Sequence, residues 1–280
     1  AFLLGIFYAL NPVSIIITSF HGQFDTLMLL MILLAVYTFG WSKRWISPLF
    51  LGIAIALKSF PVLLLPFFLF HSRQNPSDKI KFLLISVAPV IILLLPFLIS
   101  DFEGVKTVLF RYAGWPDHGW IAAFRAFFLL DEKAIFTRFH IVDQLLAASK
   151  MIFLFAYGSL IIIVWRRKIS STLITSIATV FCLFLFLYGG ISSQYLLWAV
   201  PFLILISLRH AVIYTFFGSL ALLGFYSVFY PDVISWIFTA FHMPLAGDLG
   251  FYRLATLLFW SYLGIVLFIL LPKLFSQEAN

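Results

Sequence analysis

Long apolar runs separated by very short polar links leave this chain few ways to fold. Residues 1–20 (AFLLGIFYALNPVSIIITSF) and 26–40 (TLMLLMILLAVYTFG) are almost wholly apolar, and only HGQFD, residues 21–25, divides them. A helix rising 1.5 Å per residue needs about 20 apolar residues to cross the hydrocarbon core of a bilayer. Further runs of this kind lie at 82–100, 144–165, 172–190, 196–208, 211–229 and 251–271. The runs at 25–40 and 196–208 are short for a full crossing, and short or broken helices at membrane depth require protein or water to complete their backbone bonding.

Composition agrees with that reading and excludes a water-soluble domain. The chain is 63% hydrophobic and 10% charged, with a mean hydropathy of +1.10, far from globular usage. Thirty-five Phe against eight Trp would leave a soluble fold with large exposed apolar patches. The net charge of +7 is read first as a topology signal, and no nucleic-acid partner is inferred from it. Cys182 is the single cysteine, so no internal disulfide and no CxxC metal site exists within these residues. The fold class predicted is all-α: one polytopic transmembrane bundle over residues 1–280, with about eight spans plus one broken or re-entrant helical hairpin. The sequence opens on Ala1 inside an apolar run, which reads as a chain whose true N-terminus lies upstream.

The hairpin is ISPLFLGIAIALKSFPVLLLPFFLF, residues 46–70, interrupted at its middle by Lys58 and Pro61. The links at 41–45, 71–81, 166–168, 208–210 and 272–273 hold ten of the eighteen basic residues and read as cytoplasmic. HGQFD, the segment 101–143, ISSQY (191–195) and 230–250 then face the other side, with nine of the eleven acids. Both 41–45 and 71–81 are cytoplasmic only if 46–70 enters and leaves on one face. Within the external segment 101–143, VKTVLFRY and IAAFRAFF read as amphipathic interfacial helices with Arg111 and Arg125 on their polar faces.

On this topology the polar residues converge on the external face. HGQFD becomes a tight turn in which Gly22 supplies backbone freedom and Asp25 opens the next helix, where a carboxylate suits the dipole. A capped turn accounts for His21, Gln23 and Asp25 as well as a wet, ligand-binding cavity does. Lys58 is costly within a membrane, about 3 kcal/mol on insertion scales, so it is paired or functional. Its partner is either a carboxylate such as Asp25 or an anionic ligand group such as a phosphate. GWPDHGW (114–120) sets Asp117 and His118 between two Trp, and SSQYLLW (192–198) offers Gln194, Tyr195 and Trp198. Aromatic planes beside carboxylates and amides suit a sugar, whose C–H faces stack while its hydroxyls take directional hydrogen bonds. Interfacial anchoring and a satisfied helix end explain part of the same pattern.

NP (11–12), HGQFD, ALKSFPVLLLPFF (56–68), RYAGWPDHGW and SSQYLLWAVP (192–201), in that order, resemble the GT-C class of polytopic glycosyltransferases. The echoes are of the glucosyltransferases of N-glycan precursor assembly and of GPI mannosyltransferases, over roughly 9–70 and 105–201. The resemblance implies inverting transfer of a hexose, mannose or glucose, from a polyprenyl- or dolichyl-phosphate-linked donor to a lipid-linked or glycan acceptor on the extracytoplasmic or lumenal face. It implies a carboxylate base in the first external loop and cations at the leaving phosphate, here Lys58 first, then Arg111 and Arg125. That loop precedes the NP helix in the class, so the base is expected upstream of Ala1, these residues alone are expected to be inactive, and neither Asp25 nor Asp117 takes the role. Asp25 also stands where the class's HFQYN-like block has asparagine. The substrate-binding set is then His21, Gln23, Asp25, Lys58, Arg111, Asp117, His118, Arg125, Gln194, Tyr195 and Trp198. No cofactor is required by the pattern. A divalent cation at the donor phosphate stays open, since no clustered ligand set appears. The membrane is the plasma membrane for a prokaryotic source and the endoplasmic reticulum for a eukaryotic one.

Two other classes fit parts of the pattern. A transporter or flippase of a lipid-linked sugar also places a lysine and broken helices near the midplane, but no repeat relates the halves of this chain. A non-catalytic membrane subunit is the other.

Overall fold

The computed structural model describes residues 2–41, 45–72, 75–111, 114–128, 140–167, 171–232, 239 and 249–275. Among these the regular structure is helical, with one isolated antiparallel bridge between His118 and Ile191. The all-α class is as predicted. Helices α1 (Phe2–Ala9) and α2 (Pro12–Ile15), the latter continued by a π-helical turn over Ile16–Phe20, make one apolar span bent by 53°. The bend has a local cause. Pro12 brings no N–H, and the Asn11 side chain closes the break, accepting from Val13 N at 3.0 Å and donating to Thr215 Oγ1 at 2.7 Å.

After the turn come α3 (Asp25–Thr38), α4 (Ile46–Leu57), a 3-10 turn over Phe60–Leu64 and α5 (Leu65–His71). The interruption expected inside 46–70 is present. Lys58 sits in extended backbone at φ −149°, ψ 137°, and Pro61 is in the first turn of the next helical stretch. Then follow α6 (Pro76–Ser100), α7 (Phe102–Arg111), α8 (Gly119–Phe128), α9 (His140–Arg167) and α10 (Leu173–Leu187). A 3-10 turn over Ser193–Leu197 leads to α11 (Val200–Ile206), α12 (Leu208–Phe229) and α13 (Leu249–Lys273).

Among the described residues, fewer helices than the eight spans expected are long and apolar enough to cross a membrane by themselves. Four helices, α6, α9, α12 and α13, are long and apolar enough to cross a membrane, and the bent first pair makes a fifth. Helices α3, α4 and α10 have 14, 12 and 15 residues, or roughly 18–23 Å against a core of about 30 Å. Burial explains why α10 is short. Thr175 to Leu185 are all buried, so protein rather than lipid surrounds this helix and bilayer thickness does not set its length. Helix α6 is the opposite, exposing Ile91, Ile92, Leu93, Phe97 and Ile99, as a lipid-facing helix does.

Packing also separates the two helices expected at the interface. Helix α7 exposes Phe102 and Val108, consistent with an apolar face turned to the membrane surface. In α8, Ile121, Ala122 and Ala123 are buried, and the helix packs on α13, α10 and α9, so it belongs to the bundle. The aromatic excess is used in the same core, where Phe60 and Phe202 stack on the two sides of α10 through Phe181, at 5.1 and 5.2 Å between centroids.

Candidate active site

HGQFD turns the chain from the bent first span into α3. Gly22 takes φ +65°, which disfavours any residue with a Cβ. Asp25 is the first residue of α3 and is fully buried. Its carboxylate is spent on side chains from two other segments: Lys58 pairs with Oδ1 at 2.5 Å, and Trp198 Nε1 donates to Oδ2 at 2.6 Å. Of the two partners foreseen for Lys58, the protein carboxylate is the one observed. The pair is not sealed, since the Lys58 side chain keeps 20% of its surface. Its ammonium lies 5.4 Å from the ring centres of both Tyr195 and Trp198, an aromatic half-cage that favours a cation. Phe60 and Phe184 back the Trp198 ring at 4.8 and 5.7 Å.

His21, half-buried, joins three segments. Its Nδ1 is 2.6 Å from the Tyr226 hydroxyl at the end of α12, and its ring lies close to the Gln194 side chain on the 3-10 turn. Burial lowers its basicity, with Gln194 and Asp25 working against the shift and Lys58 adding to it, which favours the neutral ring within the field of the ion pair. Gln23 is half-buried on the same turn, its backbone N–H bonded to Ile17 O at 3.3 Å.

The segment around residues 114–120 docks beside this group. Asp117 N and His118 N both donate to Ile191 O, at 3.2 and 3.0 Å, and Gly114, at φ +77°, lies so close to Gly190 that a Cβ would strike the Gly190 carbonyl. His118 is fully buried, with Nε2 at 3.0 Å from Ser193 Oγ and its ring against Phe225. It therefore holds the loop to the turn that carries Gln194 and does not meet solvent. Burial, with His21 nearby, drops its pKa to about 3. Burial pushes the Asp117 carboxyl up to about 7, against the opposing pull of the Arg125 guanidinium and a Ser193 backbone N–H. Arg125 also donates to Pro116 O at 3.1 Å, and Tyr252 OH donates to Asp117 O at 2.7 Å.

The structure thus brings His21, Asp25, Lys58, Asp117, His118, Arg125, Gln194, Tyr195 and Trp198 into one connected region. Arg111 ends α7, and its side chain lies outside the described residues. Tyr226, Ser193 and Tyr252 were missed by sequence reading. The first and last lie inside the apolar runs ALLGFYSVFY and GFYRLATLLFW, where a tyrosine is indistinguishable from an interfacial anchor. Among the described residues no three His, Cys, Asp or Glu side chains group closely enough to hold a metal ion. A cavity of about 570 Å³ lies apart from the polar group, as an apolar groove between α1 and α12 lined by Leu3, Ile6, Leu10, Val212 and Phe216, with Asn11, Thr215 and Ser219.

A polar group of this kind, carried on helix breaks in an apolar bundle, suits an enzyme that handles a polar group in a membrane. The family model for glycosyltransferase family 87 matches residues 1–187. The chain belongs to glycosyltransferase family 87. It is a membrane glycosyltransferase, which requires a sugar donor and an acceptor as substrates. No curated protein and no solved structure matches it. The family match covers HGQFD, Lys58, Asp117, His118 and Arg125, whereas Gln194, Tyr195, Trp198 and Tyr226 come from the remainder of the chain. In this member of family 87 the polar region is therefore assembled from both parts.

Proposed function

We propose that this family 87 enzyme transfers a hexose, mannose or glucose, from a polyprenyl-phosphate donor to a lipid-linked or glycan acceptor on the extracytoplasmic face, with inversion and as a GT-C type enzyme. The observation that carries the reading is Lys58. Its ammonium is pinned by buried Asp25 at a helix break and flanked by Tyr195 and Trp198, yet part of its surface stays open. An ammonium so held is preorganised for the negative charge that develops on a departing lipid phosphate, and needs no reorganisation during the reaction. His21, Gln23, Asp117, Gln194 and Tyr195, all partly exposed, line the adjoining wall for sugar hydroxyls, while Asp25, Trp198 and His118 support it from behind. Arg111 and Arg125 are further cations on the external side. In this reading no step is assigned to Asp25 or Asp117.

The apolar groove supports a lipid-borne donor. Its residues Val212, Thr215, Phe216 and Ser219 lie on the same face of α12 as Tyr226, seven residues beyond Ser219, so an isoprenoid chain in the groove would lead toward His21.

Radiolabelled polyprenyl-phosphate mannose and polyprenyl-phosphate glucose, presented to the full natural protein in nanodiscs with a membrane lipid extract, test this directly. Label should appear in a new lipid or glycan product from one of them and not from a nucleotide sugar. Lys58→Met should remove transfer by at least about 100-fold, the scale of losing a preorganised charge contact. Transfer from the nucleotide sugar, or full activity in Lys58→Met, would sink the proposal.

A further inference from the structure

Two of the short basic links, 208–210 and 272–273, have no part in the site at HGQFD, and the fold brings them together. Helices α12 and α13 run antiparallel: Gly224 packs on Tyr252 and Gly218 on Phe259, and His210 meets Tyr262 toward the other end. Arg209, His210 and Lys273 therefore gather at the end of the bundle opposite the candidate active site, about 25 Å of helix away from Tyr226. Ser207, His210 and Lys273 line one small cleft over Leu203, Val266 and Leu270. Among the described residues no carboxylate pairs with Arg209 or Lys273. Ser207 caps α12, its Oγ accepting from His210 N at 3.5 Å, while the N–H groups of Leu208 and Arg209 have no helical partner. Tyr262 holds the imidazole: its O–H donates to His210 O at 3.3 Å, so its oxygen accepts from Nδ1–H at 3.0 Å and Nε2 stays open.

We propose that this cleft binds the phosphate of an anionic membrane lipid, on the face of the bundle opposite the candidate active site. A cation at one helix end commonly marks orientation alone. Here two helix ends from separate links converge, the α12 dipole adds charge of the same sign, and no described acid offsets it. Leu205, Leu208 and Val212 are exposed beside the cations, so a phosphate carried on apolar chains meets charge and an apolar wall together. Lys273 and Arg209 supply the charge, and the open N–H groups at the start of α12 supply directed hydrogen bonds. One headgroup then joins the start of α12 to the end of α13, the two helices whose far ends hold His21 through Tyr226 and Asp117 through Tyr252. The site does not depend on the donor, sugar or acceptor proposed above.

The test uses the full natural protein in dodecylmaltoside micelles doped with phosphatidylglycerol and reads the melting temperature. Wild type should gain stability saturably as the mole fraction of phosphatidylglycerol rises, and phosphatidylcholine at the same fraction should give no such gain. In Arg209→Gln/Lys273→Gln the fraction needed for half the gain should rise at least about tenfold, since each basic residue near an anionic headgroup is worth several-fold in binding. Arg166→Gln removes an exposed cation at the end of α9 and should leave that fraction unchanged. Lys273→Gln alone should raise it about fivefold, and decides the matter if the double variant does not fold. An unchanged half-point in the Lys273 and double variants, or an equal shift in Arg166→Gln, would overturn the site in favour of diffuse attraction. An equal gain from millimolar inorganic phosphate would also overturn it, because the ligand would then be a free anion. No readout here requires sugar transfer, so failure of the proposed function would leave this outcome untouched.

Discussion

Two neighbouring clusters bury carboxylates in different ways. Asp25 is fully buried and meets an opposite charge in contact, Lys58, with Trp198 as a second donor. Asp117 is less deeply placed, and its nearest cation, Arg125, only partly offsets burial, so the carboxyl is pushed up to about 7. His118 beside it is fully buried and neutral, with a pKa near 3. The first cluster keeps an ion pair inside the bundle, and the second gives up charge to bury a loop. A fixed charge suits the phosphate-holding role proposed for Lys58, whereas neutral groups suit the docking of a loop onto a bundle.

The largest effect should come from splitting the pair. Asp25→Asn or Lys58→Met alone should destabilise by about 3–5 kcal/mol, discounted for the open face of Lys58, because each leaves a charge without its partner in a low-dielectric setting. The double variant should regain much of that loss. Chemical unfolding in detergent would measure it, and single variants as stable as wild type would show that water already solvates the pair.

Trp198→Phe is a smaller cut into the same cluster. It keeps the aromatic wall but leaves Asp25 Oδ2 without its donor, at a cost of about 1–3 kcal/mol. A negligible change would mean that the indole serves Lys58 by its ring face alone.

The smallest effects distinguish the second cluster by pH. Asp117 binds protons more tightly folded than unfolded, so its contribution to stability falls as pH rises from about 4 to 7. His118 binds them less tightly folded, so its contribution rises as pH rises from about 3 to 6.5. These slopes oppose each other between about pH 4 and 6.5. Melting temperature in detergent should therefore climb more steeply with pH in Asp117→Asn than in wild type over that window, and fall with pH in His118→Gln. Parallel curves for all three proteins would show that neither group is buried as described.

Much of this was legible in the residues. Apolar run length makes a helical membrane protein the outcome, because lipid offers no partner for an unpaired backbone group. The break at Lys58 was legible too, since a lysine and a proline three residues on do not continue an apolar helix, as was the turn at HGQFD through Gly22. The number of crossings was not legible, because hydropathy cannot separate a helix bathed in lipid, such as α6, from one enclosed by protein, such as α10. IAAFRAFF is ambiguous for the same reason, its amphipathic pattern fitting a bundle as well as an interface.

What the sequence determined by itself was therefore the solvent: a chain of this hydropathy, with polar residues confined to links and breaks, belongs in a bilayer, and its helices follow from local bonding alone. Tertiary structure decided the partners. Asp25 meets Lys58 and Trp198, and His21 meets Tyr226, across 33, 173 and 205 positions of sequence. No local pattern encodes such contacts, since they exist only when separate helices have packed and their polar groups must find each other in a low-dielectric interior.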